Sequence, residues 1–169
     1  MIPFNKSYYV VPNKLIAGEI PSSMEEQANN EKLFGIKNAN IKAVINLMEV
    51  DEKDHYGNLF VDYEPTLLLY KIEVTRFSIT DMDVPSPFQM MKILNQINQF
   101  NKQGKIVYIH CWGGLGRTGT VVGCYLLQNK LASVDNVFNV INKLKDSSGL
   151  KDFDSPQTTA QKEFILDWI

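Results

Sequence analysis

The sequence predicts an α/β fold with a short, mostly parallel central sheet that is flanked by helices. Strand-like and helix-like segments alternate along all 169 residues, without internal repeats or low-complexity linkers. Hydrophobic residues make up 44% of the chain, enough for one core, so we expect a single domain over residues 1–169. A glycine-rich turn joins an apolar strand to a helix, and open α/β sheets bind ligands at such carboxyl ends of strands.

The elements follow from hydrophobic periodicity and from turn residues. Ser86 and Pro87 are typical of an N-cap and a first helical position, and Met90, Ile93 and Ile97 then mark one face of that helix. In chain order we expect a hairpin (8–11 and 15–17), a helix (23–35), a buried strand (43–47), a short helix (63–69), a strand (72–79), the helix after Pro87, a central strand (106–109) and helices near 117–129, 133–145 and 157–168.

The glycine-rich turn places five residues between Cys111 and Arg117. Gly113, Gly114 and Gly116 let successive backbone N–H groups converge on one anion. A helix that starts near Arg117 adds its positive end, and the guanidinium offers a two-pronged fork to phosphate oxygens. This spacing favours a nucleophile that is aimed into a phosphate-binding loop.

The same positive environment favours the thiolate form of Cys111, which is the nucleophilic form of cysteine. A thiolate that is already formed needs no base, so we expect His110 to orient the loop through hydrogen bonds. Thr118 offers a hydroxyl that could stabilise the sulfur as a leaving group.

Two other interpretations of this turn stay open. Gly114, Gly116 and Gly119 match the G-x-G-x-x-G dinucleotide fingerprint, but Asp135, the nearest candidate for the ribose-binding acid, lies in a helix-like segment. A purely structural turn is the second alternative, although it does not require a cysteine and an arginine at this spacing.

The segment His-Cys-x-x-Gly-x-Gly-Arg-Thr-Gly resembles the signature of the cysteine-dependent protein tyrosine phosphatase superfamily, in its dual-specificity branch. The Trp112-Gly113-Gly114 variant is most similar to phosphatases of the cyclin-dependent kinase inhibitor 3 type, and the likeness includes segments 15–21, 44–49 and 155–161. The resemblance implies a three-layer α/β/α fold and hydrolysis of phosphomonoesters through a phosphocysteine. It also implies a substrate-binding loop formed by Trp112, Gly113, Gly114, Leu115, Gly116 and Arg117.

The resemblance also implies an aspartic acid on a loop before the cysteine, which protonates the leaving group. Asp81 matches the family pattern best, and Asp83 is the alternative. Gln157, and less strongly Gln161, resembles the glutamine that orients the attacking water. Glu19 and Glu49 lie in segments that resemble the family but receive no chemical role.

Composition narrows the partners. The net charge of −2 and the lack of a Lys/Arg block argue against nucleic acid and a membrane surface. Two cysteines and two histidines argue against a disulfide framework or a metal cluster, so we expect no cofactor and no metal. We expect Cys124 to be a core thiol and His55 to be a solvated loop residue.

We expect a cytoplasmic monomer that acts on phosphorylated proteins, phosphotyrosine first and phosphoserine or phosphothreonine second. A polyphosphoinositide substrate is disfavoured, because no lysine or histidine lies between Cys111 and Arg117.

Overall fold

The computed structural model describes residues 1–168, and this part of the chain forms a mixed sheet of five strands with six helices. The elements are β1 (Ser7–Val11), β2 (Leu15–Gly18), α1 (Glu26–Asn38), β3 (Ile41–Asn46), α2 (Glu64–Leu69), β4 (Glu73–Arg76), α3 (Pro87–Lys102), β5 (Ile106–His110), α4 (Gly116–Gln128), α5 (Val137–Lys145) and α6 (Thr159–Leu166). Within this range, no helix is long and apolar enough to cross a membrane.

The sheet has the strand order β1-β2-β5-β3-β4, with β1 antiparallel to β2 and the other three pairings parallel. Asn46 at the end of β3 is paired with His110 of β5 on one side and with Arg76 of β4 on the other. The loops that follow β5, β3 and β4 therefore leave the same edge of the sheet side by side. This register brings three distant segments of the sequence together.

The central strands are buried on both faces. All residues of β2 are buried, as are five of the six residues of β3 and four of the five of β5. Continuous burial of this kind requires packed segments on both sides of a sheet, which is typical of parallel α/β folds. The predicted α/β class is confirmed.

Most predicted elements are present, and the boundaries that differ have local reasons. Ser86 caps α3, since its hydroxyl accepts a hydrogen bond from the Gln89 N–H. Strand β4 ends at Arg76 rather than at residue 79, because its neighbour β3 has already ended at Asn46. Helix α5 begins four residues later than expected, since residues 133–136 form a separate turn closed by Ser133 and Asn136.

Candidate active site

The turn between β5 and α4 and the first residue of α4, residues 111–116, are together named the cysteine loop here. Gly114 has a φ of +74°, and a Cβ at this position would lie 2.3 Å from the carbonyl carbon of Gly18. The backbone carbonyl of Trp112 accepts a hydrogen bond from Ile20 N–H at 2.9 Å, and that of Leu115 accepts one from the Ser155 hydroxyl at 2.9 Å. The end of β2 and the segment before α6 thus hold the cysteine loop in one shape.

Cys111 lies at the carboxyl end of β5, directly after the fully buried His110. His110 Nδ1 is 2.9 Å from the carbonyl oxygen of Cys111, and its Nε2 is 2.5 Å from the Tyr63 hydroxyl. A carbonyl oxygen can only accept, so Nδ1 carries the proton and Nε2 accepts from Tyr63. Burial lowers the pKa of His110 to about 3, which keeps the ring neutral at physiological pH.

Arg117 lies in the first turn of α4 with its side chain almost fully buried. Its Nη1 contacts Glu52 Oε2 at 2.6 Å and the Ile79 carbonyl oxygen at 3.0 Å, and its Nη2 contacts Glu52 Oε1 at 2.7 Å. Burial by itself lowers the pKa of the guanidinium, but the Glu52 hydrogen bonds and the charges of Cys111, Glu52 and Asp81 raise it above its ordinary value. The two terminal nitrogens of the guanidinium, which the sequence predicts to face phosphate, are therefore held by the Glu52 carboxylate.

The segment between β4 and α3, residues 77–85, is named the acid loop. Asp81 Oδ1 lies 2.8 Å from Arg117 Nη2 and is about half exposed. The Asp83 carboxylate instead accepts a hydrogen bond from the next backbone N–H, that of Val84. Of the two acids singled out by the sequence, the structure thus brings Asp81 to Arg117.

Two buried polar atoms of the site have no hydrogen-bond partner within residues 1–168. They are Arg117 Nε and Thr118 Oγ1. Unsatisfied buried polar groups are rare and call for an explanation, of which a ligand is one. Both belong to the first turn of α4, whose N-terminal end favours anions.

The two glutamines of the last segment have different environments. Gln161 is fully buried, accepts hydrogen bonds from the Gln157 and Thr158 backbone N–H groups, and donates to the Asp83 carbonyl oxygen. The Gln157 side chain makes no hydrogen bond within the described chain, and its Oε1 lies 2.8 Å from the position that a Cβ on Gly116 would take. Gln161 therefore fixes the start of α6, whereas Gln157 is free to contact a ligand.

Sequence reasoning missed the loop between β3 and α2, residues 49–62, which we name the Glu52 loop. Its Glu52 holds Arg117, its His55 ring lies 4.4 Å from the Trp112 ring, and its Phe60 contacts the same indole at 5.3 Å. His55 is exposed, as expected, but it is not merely solvated, and the Trp112 ring is already engaged by two aromatic neighbours. The signal in the sequence was the acidic run directly after β3, because loops after neighbouring parallel strands share one edge of the sheet.

The remaining candidates have structural environments. Cys124 is fully buried in α4, as predicted, and burial raises the pKa of its thiol well above the usual range. Glu19 forms ion pairs with Lys6 and Lys32, and Glu49 accepts a hydrogen bond from the Thr80 hydroxyl. Within residues 1–168, no group of three His, Cys, Asp or Glu side chains is arranged to hold a metal ion.

The family is decided by comparison with known proteins. A family model described as "Polymorphic toxin system, DSP-PTPase phosphatase" matches residues 20–130, which include β3, the acid loop, the cysteine loop and all of α4. The chain belongs to this family. It is thus a member of the protein tyrosine and dual-specificity phosphatase superfamily, and the resemblance drawn from the cysteine loop is confirmed.

Curated relatives of this chain include proteins named for lipid substrates. Phosphatidylglycerophosphate phosphatase PTPMT2 from Arabidopsis thaliana is 29% identical over 65% of the chain, which spans 46% of that protein. Phosphatidylglycerophosphatase and protein-tyrosine phosphatase 1 from Mus musculus is 25% identical over 93% of the chain and 75% of that protein. The chain thus spans less than half of the length of the first relative.

Solved phosphatase structures share the fold. Tk-PTP in its active form matches with a TM-score of 0.74 and 22% identity over 98% of this chain and 97% of that chain. Kinase-associated phosphatase, which is of the cyclin-dependent kinase inhibitor 3 type, matches with a TM-score of 0.72 and 19% identity over 95% of this chain and 90% of that chain. At these identities the likeness establishes the fold alone.

Proposed function

We propose that this phosphatase hydrolyses phosphomonoesters on protein side chains, phosphotyrosine first and phosphoserine or phosphothreonine second, through a phosphocysteine at Cys111. The observation that carries the proposal is the meeting of Asp81 with Arg117 beside the cysteine loop. A nucleophile, an anion-binding group and a proton donor are the three groups that this reaction requires.

In the first step, the Cys111 sulfur attacks phosphorus and forms an S–P bond while the P–O bond to the leaving group breaks. Asp81, protonated when the substrate is bound, gives its proton to the departing oxygen. The phosphoryl oxygens bind the backbone N–H groups of the cysteine loop and Arg117 Nε, which has no other partner in the described chain. The incoming phosphate takes the place of Asp81 at Nη2 and frees the acid for its role.

In the second step, a water molecule attacks the phosphocysteine. The S–P bond breaks, the Asp81 carboxylate takes a proton from the water, and inorganic phosphate leaves while the thiolate is restored. Gln157 orients this water, because its side chain lies against the start of α4 and has no other partner among residues 1–168. The Thr118 hydroxyl, which has no partner within residues 1–168, donates a hydrogen bond to the sulfur as the S–P bond breaks.

A protein substrate is preferred on grounds of charge. The Glu52 loop beside the site carries five carboxylates and one lysine. These carboxylates repel a polyanionic headgroup and an anionic bilayer surface. A phosphorylated side chain carries a single phosphate and is repelled less. A cytoplasmic location agrees with this preference and is part of the proposal.

A phospholipid monoester is the second candidate. It is favoured by the names of the Arabidopsis and mouse relatives, which both include phosphatidylglycerophosphate chemistry. The comparison of kcat/KM for a phosphotyrosine peptide, a phosphothreonine peptide and phosphatidylglycerophosphate in mixed micelles separates the candidates. A tenfold preference for the lipid, about 1.4 kcal/mol in the transition state, would overturn the protein assignment.

The chemistry itself is tested with p-nitrophenyl phosphate in the presence of EDTA. We expect hydrolysis that resists EDTA and is lost in Cys111→Ser. Hydrolysis that survives in Cys111→Ser contradicts the phosphocysteine. Phosphate binding by a wild-type protein that does not hydrolyse any of these substrates indicates a binding module without turnover.

A further inference from the structure

We infer that Lys145 is a positioning residue for the second step of the reaction, because it holds the segment that carries Gln157 against the start of α4. The inference rests on the proposed function, in that Gln157 is taken to orient the attacking water. It concerns a buried lysine that lies outside the loops of the site.

Lys145 is the last residue of α5 and is fully buried. Lysine is almost never fully buried unless it is paired, because its charge loses hydration in the interior. Within residues 1–168, no carboxylate forms an ion pair with it. Burial lowers the pKa of the ammonium group, although the charges of Asp154 and Asp146 act in the opposite direction. A cation that is buried without a paired carboxylate calls for a specific role.

The Lys145 ammonium group donates to two backbone carbonyl oxygens, that of Leu150 at 3.4 Å and that of Phe153. Both oxygens belong to the connection between α5 and α6, residues 146–158, which is named the α5–α6 segment. Residues 151–154 of this segment are exposed, so they have little packing of their own. Lys145 therefore tethers a part of the chain that apolar contacts do not hold.

The tethered segment leads directly into the site. Two residues after Phe153, the Ser155 hydroxyl donates to the Leu115 carbonyl oxygen of the cysteine loop at 2.9 Å. Gln157 follows two residues later, and its backbone N–H donates to Gln161 Oε1 at 3.1 Å. The tether at Phe153 thus lies four residues before the side chain that is proposed to orient water.

The position of the Gln157 side chain depends on this backbone. The side chain makes no hydrogen bond of its own within residues 1–168, so the segment that carries it determines where it lies. A displacement of about 1 Å in a positioning group can cost about 10²-fold in rate. Cys111 and Arg117, which act in the first step, belong to β5, the cysteine loop and α4 rather than to the α5–α6 segment. Loss of the tether should therefore affect hydrolysis of the phosphocysteine more than its formation.

The second step offers a readout that does not depend on how much of the protein is folded. In a mixture of water and glycerol, the phosphocysteine is attacked either by water or by a glycerol hydroxyl. In both cases the S–P bond breaks and the Asp81 carboxylate takes the proton of the attacking O–H group, so the products are inorganic phosphate and glycerol phosphate. A loss of stability lowers both products equally, whereas a loss of water orientation raises the ratio of glycerol phosphate to inorganic phosphate.

The experiment compares Lys145→Met with Lys143→Met, with p-nitrophenyl phosphate as substrate and phosphorus NMR of the products. Methionine has a side chain of similar length without a donor. Lys143 is exposed on the same helix and makes no side-chain hydrogen bond or ion pair within residues 1–168, so its replacement removes the same charge without touching the α5–α6 segment. We expect Lys145→Met to raise the product ratio by about fivefold or more, and Lys143→Met to leave it at the wild-type value. A wild-type ratio in Lys145→Met overturns the inference.

A double-mutant comparison tests whether Lys145 acts through Gln157. In a Gln157→Ala background, Lys145→Met should have little further effect on the product ratio, because the group through which it acts is gone. An equal rise in both backgrounds contradicts the inference. Thermal unfolding is recorded for every variant. If Lys145→Met does not fold, Lys145→Gln, whose amide keeps a donor on a shorter arm, replaces it, with a smaller rise in the same direction.

Failure of this inference can be told apart from failure of the proposed function. If the wild-type protein does not hydrolyse p-nitrophenyl phosphate, the proposed function fails, and the tether is tested by hydrogen exchange of the Gln157 backbone N–H. This group should exchange about tenfold faster in Lys145→Met than in Lys143→Met, because the segment opens more often. Equal exchange rates overturn the tether. If hydrolysis depends on Cys111 and the product ratio does not depend on Lys145, only the positioning role is lost.

Discussion

The cysteine loop and the acid loop meet at Arg117, yet they differ in how firmly the rest of the molecule holds them. In the cysteine loop, every residue but Trp112 and Gly113 is buried, and hydrogen bonds from Ile20 and Ser155 fix its carbonyls. In the acid loop, Arg117 and Gln161 likewise hold the carbonyls of Ile79 and Asp83, but Ser78 and all of residues 80–83 are exposed and the Asp81 side chain has a single ion pair.

This difference matches the two tasks. Donors that stabilise developing charge act best when they are in place before the reaction, so a rigid, buried loop is suited to bind the phosphoryl group. The proton donor must leave Arg117 when phosphate binds and must then change its protonation state twice. An exposed side chain that is held by one ion pair can make that rearrangement at low cost.

The largest effect is expected from Gly114→Ala in the cysteine loop. Alanine is strained at a φ of +74°, and its Cβ would lie 2.3 Å from the Gly18 carbonyl carbon, so the loop or the end of β2 must move. We expect loss of most activity and a drop of about 3 kcal/mol in the free energy of unfolding. Both are measured by p-nitrophenyl phosphate hydrolysis and urea denaturation.

Gly113→Ala is the matched control, since a Cβ there meets nothing within 4 Å. It should fold like the wild-type protein. If Gly114→Ala is as well tolerated as Gly113→Ala, the cysteine loop is less rigid than its contacts indicate.

The second prediction concerns Asp81→Asn in the acid loop. The amide cannot donate a proton as an acid does, so kcat should fall by about 10²-fold and the basic limb of the pH profile of kcat/KM should flatten. Stability should change little, because the side chain is about half exposed. The control is Asp83→Asn, whose carboxylate contacts the Val84 N–H; if this variant flattens the basic limb instead, Asp83 is the acid.

These loops also show how much of the structure can be predicted from the sequence alone. The Cys111 to Arg117 spacing, the Ser86 N-cap and the β5 strand have local signals, and all three are found in the structure. The contact between Glu52 and Arg117 spans 65 positions and depends on strand register, for which no local pattern exists. The end of β4 was predicted three residues too late for a related reason, since its length is set by the end of its neighbour β3.

The third prediction extends the comparison to pH and stability. The folded protein keeps His110 neutral, with a pKa lowered to about 3 by burial, whereas an unfolded chain binds a proton at this residue below about pH 6.5. The stability contributed by neutral His110 is therefore complete above pH 6.5 and is lost as the pH falls from there towards 3. Between pH 8 and pH 5, we expect a loss of about 2 kcal/mol from this residue.

The measurement is urea denaturation of the wild-type protein and of His110→Gln over this pH range. The variant lacks the titration, so its stability should depend less steeply on pH, even if it is lower throughout. Parallel pH dependences for the two proteins would mean that His110 is not excluded from protonation by the fold.

The fourth prediction is a smaller effect, and it again concerns residues that support the cysteine loop. Tyr63→Phe removes the hydroxyl that donates to His110 Nε2 and leaves a buried acceptor without a partner. We expect a loss of about 1 to 2 kcal/mol in the free energy of unfolding and less than a tenfold loss in kcat, since the His110 bond to the Cys111 carbonyl is retained. Tyr70→Phe, a change at a partly exposed tyrosine away from the cysteine loop, is the control for a lost hydroxyl. Equal losses of stability in the two variants would argue against a specific Tyr63–His110 contact.

The smallest effect is expected from Met82→Gly, and it tests the acid loop from the opposite direction to Gly114→Ala. Met82 has a φ of +63°, a conformation that side chains other than glycine rarely adopt, so glycine relieves strain while it adds freedom to the unfolded chain. The net change in stability should stay within about 1 kcal/mol. Because the substituted loop samples more conformations, Asp81 should meet the leaving group less often, and kcat should fall by a few fold. The loss should be larger for phenyl phosphate than for p-nitrophenyl phosphate, because the poorer leaving group depends more on protonation.

Asn40→Gly, at a φ of +56° just beyond the C-terminal end of α1, is a matched change in backbone freedom outside the loops of the site. If Met82→Gly lowers kcat equally for both substrates, or no more than Asn40→Gly does, the acid loop does not owe its function to the conformation of Met82.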